Sequence, residues 1–181
     1  SIVLHDNTTL ELDKGAVIEF QANTITEGTR ITPQLWKAKH IFKNDLTTGT
    51  KNIEIFGGKV FGNARTQVKD CHRCFKFTNV KNLKIHDMEI EEVGGWIFQY
   101  LNIDGFHFYN LHFKQAPESL CGYNGDGVSG VGKNGVIENI YGYVSDDMVS
   151  THAGETGFAE EYDCENILIR NIYPESLISQ D

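Results

Sequence analysis

The chain has 181 residues, 40% hydrophobic and 23% charged, which is enough for one domain with a substantial core and ordinary for a globular protein. Its formal net charge is −9 and no Lys/Arg cluster relieves it, which argues against nucleic acid as a partner. No apolar run approaches the roughly 18 residues of a membrane span, so no membrane partner is expected either.

Residues 2–20 read as an entering turn of strands, with Thr9-Leu10-Glu11-Leu12 followed by Gly15-Ala16-Val17-Ile18-Glu19-Phe20. Residues 21–51 hold one weaker strand, near His40-Ile41-Phe42, and a polar loop. From residue 53 a repeat takes over, with apolar or glycine residues at i, i+2, i+5 and i+7. Its copies are Ile53, Ile55, Gly58, Val60; Leu83, Ile85, Met88, Ile90; Phe106, Phe108, Leu111, Phe113; and Gly135, Ile137, Ile140, Gly142. A partial copy follows at Ile167, Ile169, Ile172, so that the starts fall 30, 23, 29 and 32 residues apart. The i, i+2 alternation is strand periodicity, and the phase jump at i+5 is a one-residue corner.

The corner has its own composition. Position i+4 is Gly57, Asp87, Asn110, Asn139 and Asn171, the residue types that best tolerate a left-handed backbone. Position i−1 is Asn52, Asn82, Asn134 and Asn166, with Gly105 the exception. Stacked asparagines can hydrogen-bond along a ladder. A third strand per turn has copies at Cys74–Phe77, Gly95–Phe98, Asp126–Ser129 and Asp147–Ser150. Three strands per turn predict an all-β fold, a right-handed parallel β-helix, over residues 1–181 as one domain. A β-sandwich also has many short strands, but it does not predict two in-phase asparagine columns.

Four cysteines occur, at 71, 74, 121 and 164. Cys71-His72-Arg73-Cys74 alone could be half a zinc site or a redox pair, but no second C-x-x-C or C-x-x-H follows, and Cys74 opens a strand. The cysteines read as buried or half-buried thiols, and no metal site is assigned to them.

The third-strand column places Asp126 and Asp147 at equivalent positions of successive turns, about 4.8 Å apart. Asp146 precedes Asp147 and points differently by strand alternation, so three carboxylates are expected on one face. Close carboxylates repel, and at least one pKa should rise. Such a cluster suits a general acid and base for glycoside hydrolysis, and a Ca²⁺ site would use the same groups. Asp and Asn are also common at solenoid strand starts for purely local reasons. His152 reads as a substrate ligand or a support behind one. Trp96, placed one turn before Gly127, with Tyr100 and Tyr123 nearby, could offer aromatic faces to sugar rings; core packing is the competing role for Trp96.

Asn124-Gly125-Asp126-Gly127, followed twenty residues later by Ser145-Asp146-Asp147, resembles the polygalacturonase family of pectin-cleaving glycoside hydrolases, whose pattern is N-T-D-G and then D-D on the next turn. Leu4 to Leu12 with Gly15-Ala16-Val17 is similar to that family's first turn, and Asn52-Ile53-Glu54-Ile55 with Gly57 to Gly62 to its G-x-G-x-I-D-G turn. The resemblance runs from about residue 4 to 173 and implies a pectin-lyase-like solenoid and an inverting hydrolase. Asp146 would then be the general acid, Asp126 and Asp147 would activate water, and Asn124, Tyr123, Trp96 and His152 would contact substrate. The family's G-H-G and R-I-K motifs are absent from these residues, which implies either a fragment of a larger protein or a scaffold that has kept its carboxylates and changed its job. Related β-helices occur in bacteriophage tailspikes, so a glycan-binding segment of such a protein, a homotrimer at a virion surface, is the alternative. The expected partner is a polysaccharide. No cofactor is expected, Ca²⁺ aside, and the localisation points to an extracellular or virion surface.

Overall fold

The corner residues set the shape. In the computed structural model, which describes residues 1–22, 39–45, 49–67, 72–116, 125–153 and 162–175, Asn52, Asn82, Asn134 and Asn166 all have φ between 52° and 61°. Asp87, Asn110, Asn139 and Asn171 lie at 53–54°, and Gly57 and Gly105 hold the same left-handed sense. Each residue turns the chain by a sharp angle at the same place on every turn. The side chains then stack. Asn82 donates to Asn52 at 2.9 Å, and Asn52 donates to Asn7 at 2.7 Å. Asn171, Asn139, Asn110 and Asp87 form a second ladder with spacings of 2.8–3.0 Å. A third column, not singled out in the sequence, joins Asn102 to Asn79 at 2.7 Å, both with positive φ.

Among the described residues, ten parallel strands run between the corners. They are β1 (Ile2–Leu4), β2 (Thr8–Glu19), β3 (Lys39–Asn44), β4 (Thr50–Phe61), β5 (His72–Thr78), β6 (Val80–Glu91), β7 (Phe98–Lys114), β8 (Val128–Tyr143), β9 (Val149–Thr151) and β10 (Glu165–Pro174). One ladder stacks β2, β4, β6, the later part of β7, the later part of β8, and β10. The other stacks β1, β3, β5, the start of β7, the start of β8, and β9. This is a parallel β-helix, and the predicted repeat is its register: Ile53 sits opposite Leu83, Leu83 opposite Phe106, Phe106 opposite Gly135, and Gly135 opposite Ile167. No helix among the described residues is long and apolar enough to cross a membrane.

Template residues of the middle turns are buried, with Ile53, Ile55, Leu83, Ile85, Phe108, Leu111, Ile137 and Ile140 in one continuous core, while on the last turn Ile167 and Ile172 are partly buried and Ile169 is exposed. Gly135 belongs to the template because the Phe106 ring fills its place; a Cβ there would collide with that ring. Phe42, Phe75 and Phe98 stack along the axis with centroid spacings of 5.0 and 4.5 Å. Offset aromatic stacks of this kind add to area burial by roughly 0.5–1.5 kcal/mol per pair.

That phenylalanine column corrects the predicted alignment of the third strand. Phe98 lies opposite Phe75 and Val128, not opposite Phe77 and Ser129. The inward ring decides the register, so Trp96 falls opposite Asp126 rather than Gly127. Tyr100 also differs from its expected place near a sugar. It is 1% exposed, packs on Phe106 and Phe108, and its hydroxyl has no hydrogen-bond partner among the described residues. Cys74 is buried, which pushes its thiol pKa well up, and Cys164 is half-buried. Cys71 and Cys121 lie outside the described residues.

Asn110 tests the corner account, since it combines φ 53° with one bond to Asp87 and one from Asn139. Asn110→Ala should cost about 2 kcal/mol, from left-handed strain and lost hydrogen bonds. Asn110→Gly loses the bonds without the strain and should cost about half as much. Denaturant midpoints read both; an alanine variant no less stable than the glycine variant would contradict the account.

Candidate active site

The short-strand ladder carries the predicted carboxylates. Val128 pairs with Val149 and Ser129 with Ser150, and two residues earlier the same register puts Asp126 opposite Asp147. Backbone bonds extend this alignment, with Gly127 N donating to Asp147 O at 2.9 Å and Ile97 N donating to Asp126 O at 2.9 Å. The inward members of the ladder (Phe42, Phe75, Phe98, Val128, Val149) fill the core, and this fixes the positions of the residues between them.

Two glycines let the backbones close in around Asp126. A Cβ on Gly125, where the resemblance pattern has threonine, would collide with Ser145 and crowd the Gln115 amide. A Cβ on Gly127 would lie 2.5 Å from Met148 O. The Gln115 side chain then spans the turns, donating to Gly95 O at 2.6 Å and accepting from Ser145 N at 2.8 Å. Asp146 follows directly on this anchored serine.

The three carboxylates differ in environment. Asp146 and Asp147 are exposed, while Asp126 is 4% exposed. Burial raises the Asp126 pKa to about 6, and the negative charges of Asp146 and Asp147 push the same way. The Ser129 hydroxyl and the His152 ring oppose the rise. The expected convergence and the expected raised pKa therefore both fall on this group.

His152 is placed by its backbone, which donates to Gly130 O at 2.9 Å. Its Nε2 lies 2.9 Å from Ser129 Oγ and 2.8 Å from Ser150 Oγ. Its ring runs parallel to Trp96, 7° apart with centroids at 6.0 Å. Arg73 lies over the same indole at 4.3 Å and donates to Gln99 Oε1. Trp96 is 4% exposed, so it serves here as a packed wall between Arg73 and His152, and offers no open face to a sugar. Beside it run Lys43, Lys76, Gln99, Ser129 and Ser150 in one column. Burial, with Arg73 and Lys43 nearby, lowers the Lys76 pKa to about 8.

Ser129, Gln99, Gln115 and Arg73 are the neighbours that sequence reasoning missed. The available signal was the register itself: once the phenylalanines are aligned, Ser129 and Ser150 share a column. Asn124 and Tyr123, both expected to contact substrate, lie outside the described residues. Two grooves, of 640 and 940 Å³, open on the long-strand faces around Asn52 and His107 and around Gly57 and Tyr141, away from the carboxylates. Among the described residues no group of three His, Cys, Asp or Glu side chains is arranged to hold a metal ion.

Comparison with known proteins agrees with this geometry at the level of the family. The family model for glycosyl hydrolases family 28 matches residues 2–174. No curated protein and no solved structure matches the chain. The matched span takes in every turn of the β-helix and all three aspartates, and the chain belongs to glycosyl hydrolase family 28.

Proposed function

We propose that the chain hydrolyses glycosidic bonds of a polysaccharide with inversion at the anomeric carbon. The observation that supports this reading is the convergence of one buried carboxyl, Asp126, with two exposed ones, Asp146 and Asp147, on adjacent turns. Asp146 gives its proton to the leaving glycosidic oxygen as the C–O bond breaks. Asp126 and Asp147 take a proton from the water whose oxygen bonds to the anomeric carbon from the other face. An inverting site of this kind keeps acid and base roughly 6.5–9.5 Å apart to admit that water. His152 and the masking of Asp126 from solvent support the base, and the polysaccharide lies over the exposed pair.

One observation favours an exchange of roles. Asp126 is the carboxyl whose pKa is raised, to about 6, and a carboxyl that keeps its proton near neutrality can serve as the acid. The two assignments differ in the direction of their pH dependence.

Reducing-end release over a panel of bacterial and plant polysaccharides, with Asp146→Asn alongside, tests the reading. The variant should lose roughly 10²–10⁴-fold in kcat, the usual contribution of a general acid. With Asp126 as base, kcat/KM of the wild type should fall as pH drops through about 6, where Asp126 takes up a proton. A fall as pH rises through about 6 would transfer the acid role to Asp126. Saturable glycan binding without any release would replace hydrolysis by binding alone.

Stability carries a separate signature. The folded pKa of Asp126 lies above its unfolded value, so the folded state binds more protons between the two. Stability is therefore highest below about pH 4 with respect to this group, and falls as pH rises to about 6. The full penalty is on the order of 3 kcal/mol above that. Asp126→Asn should be more stable than the wild type at pH 8 and should lose that advantage at pH 4. Thermal melts at the two pH values would contradict the account if the difference did not change.

A further inference from the structure

Three successive turns pass the candidate site, and the middle one takes the longest path between its strands. β7 ends at Lys114 and β8 begins at Val128, whereas β6 ends at Glu91 with β7 beginning at Phe98, and β8 ends at Tyr143 with β9 beginning at Val149. Gly95 and Ser145 therefore belong to turns that are not direct neighbours. Gln115, from the turn between them, joins the two. Its backbone N donates to Tyr143 O at 3.1 Å, and its Nε2 donates to Gly95 O at 2.6 Å. Its Oε1 accepts from Ser145 N at 2.8 Å and from Ser145 Oγ at 3.3 Å. The partners fix the orientation of the amide, because a backbone carbonyl only accepts and a backbone N–H only donates. Gln115 is 5% exposed, so a group it left unpaired would be costly.

The held serine opens the segment that carries Asp146 and Asp147. At the other end of that segment Gly127 N donates to Asp147 O at 2.9 Å. Asp146 lies between the two attachments. Its carboxyl is exposed and makes no hydrogen bond among the described residues, so its backbone sets its place. On the side of Asp126, Ser145 Oγ occupies the space where a side chain on Gly125 would begin, and Gln115 Oε1 is 2.9 Å from the same point. Gln115 thus lies against the residue before Asp126 and bonds the residue before Asp146.

We propose that Gln115 is a positioning residue for hydrolysis, its side-chain amide spanning three turns to hold the Ser145-Asp146-Asp147 segment at a set distance from Asp126. The inference rests on the hydrolase reading for its catalytic meaning, since the gap between acid and base is what admits the attacking water. Glutamine suits the place because one side chain must donate to one turn and accept from another. Asparagine has both groups on a shorter stem, ionised glutamate cannot donate, and methionine does neither.

Amide hydrogen exchange of Ser145 in ¹⁵N-labelled protein reads this bridge without substrate. Gln115→Met keeps the length of the side chain but loses both polar groups, and should speed Ser145 exchange roughly tenfold, the share of about one hydrogen bond. Ile137 in the core should exchange as in the wild type. Gln115→Glu still offers an oxygen to Ser145 N and should stay nearer the wild-type rate. Gln115→Asn cannot reach both turns and should speed Ser145 as the methionine variant does, which decides the matter if Gln115→Met does not fold. Equal Ser145 rates in the wild type and these variants would overturn the proposal. So would an equal acceleration at Ile137, which would reduce Gln115 to a general contributor to stability.

In the active enzyme Gln115→Met should lower kcat by roughly 10–100-fold while KM changes little, and Gln115→Glu should recover part of the loss. A rise in KM with kcat unchanged would overturn the positioning role. If Ser145 exchange responds as expected and the wild type cleaves no glycan, the hydrolase reading fails while the bridge between the turns stands.

Discussion

Every feature of this molecule depends on one constraint: each turn of chain must lie on the previous one in register, with neighbouring backbones about 4.8 Å apart. Left-handed residues at fixed places impose the corners, and asparagine ladders tie each corner to the next. Apolar side chains at i, i+2, i+5 and i+7 fill the interior from the long-strand ladder, and Phe42, Phe75, Phe98 and Val128 fill it from the short-strand ladder. A slip of one residue would turn a whole column from the core to the solvent. The register is therefore strongly specified, and so is the place of any side chain that depends on it.

The candidate site is a consequence of that register. Asp126 and Asp147 are twenty-one positions apart in the chain, yet they are neighbours because Ser129 pairs with Ser150. Glycines at 125 and 127 bring the backbones of the two turns close, and Gln115 anchors the start of the Ser145-Asp146-Asp147 segment. The result places like charges together and encloses one of them. The fold supplies the enclosure, and the Ser129–His152 pair counteracts part of its electrostatic cost. A buried carboxyl raised to about 6 stands beside two exposed carboxyls, an arrangement suited to acid–base catalysis.

Much of this was legible in the sequence, for a physical reason. The inward template and the left-handed corners are local properties, written in residue type at fixed spacing, so Ile53 to Ile172 and the two asparagine columns could be read directly. The third column, Asn79 and Asn102, lies four residues before Leu83 and Phe106, but the same position on the other turns is Gly49, Val131 and Asp163, so residue type alone does not mark it as a column. The third-strand alignment slipped because residue types around Gly95 do not reveal which side chain points inward; the Phe42–Phe75–Phe98 stack does. The aspartate cluster was legible as a column. The enclosure of Asp126, the burial of Trp96 and Tyr100, and the contact of His152 with two serines were not, because each depends on how side chains from different turns meet. The family resemblance read from Asn124 to Asp147 and from the first turns agrees with the match over residues 2–174.

The central claim is that carboxylates from adjacent turns act on opposite faces of a sugar. The stereochemistry of the product tests it most directly. Proton NMR of the anomeric signals, recorded in the first minutes of cleavage before mutarotation, should show the anomer opposite to that of the substrate linkage. Initial release of the same anomer would mean a covalent intermediate on one of these carboxylates, and would contradict the assignment of Asp126 and Asp147 to the attacking water.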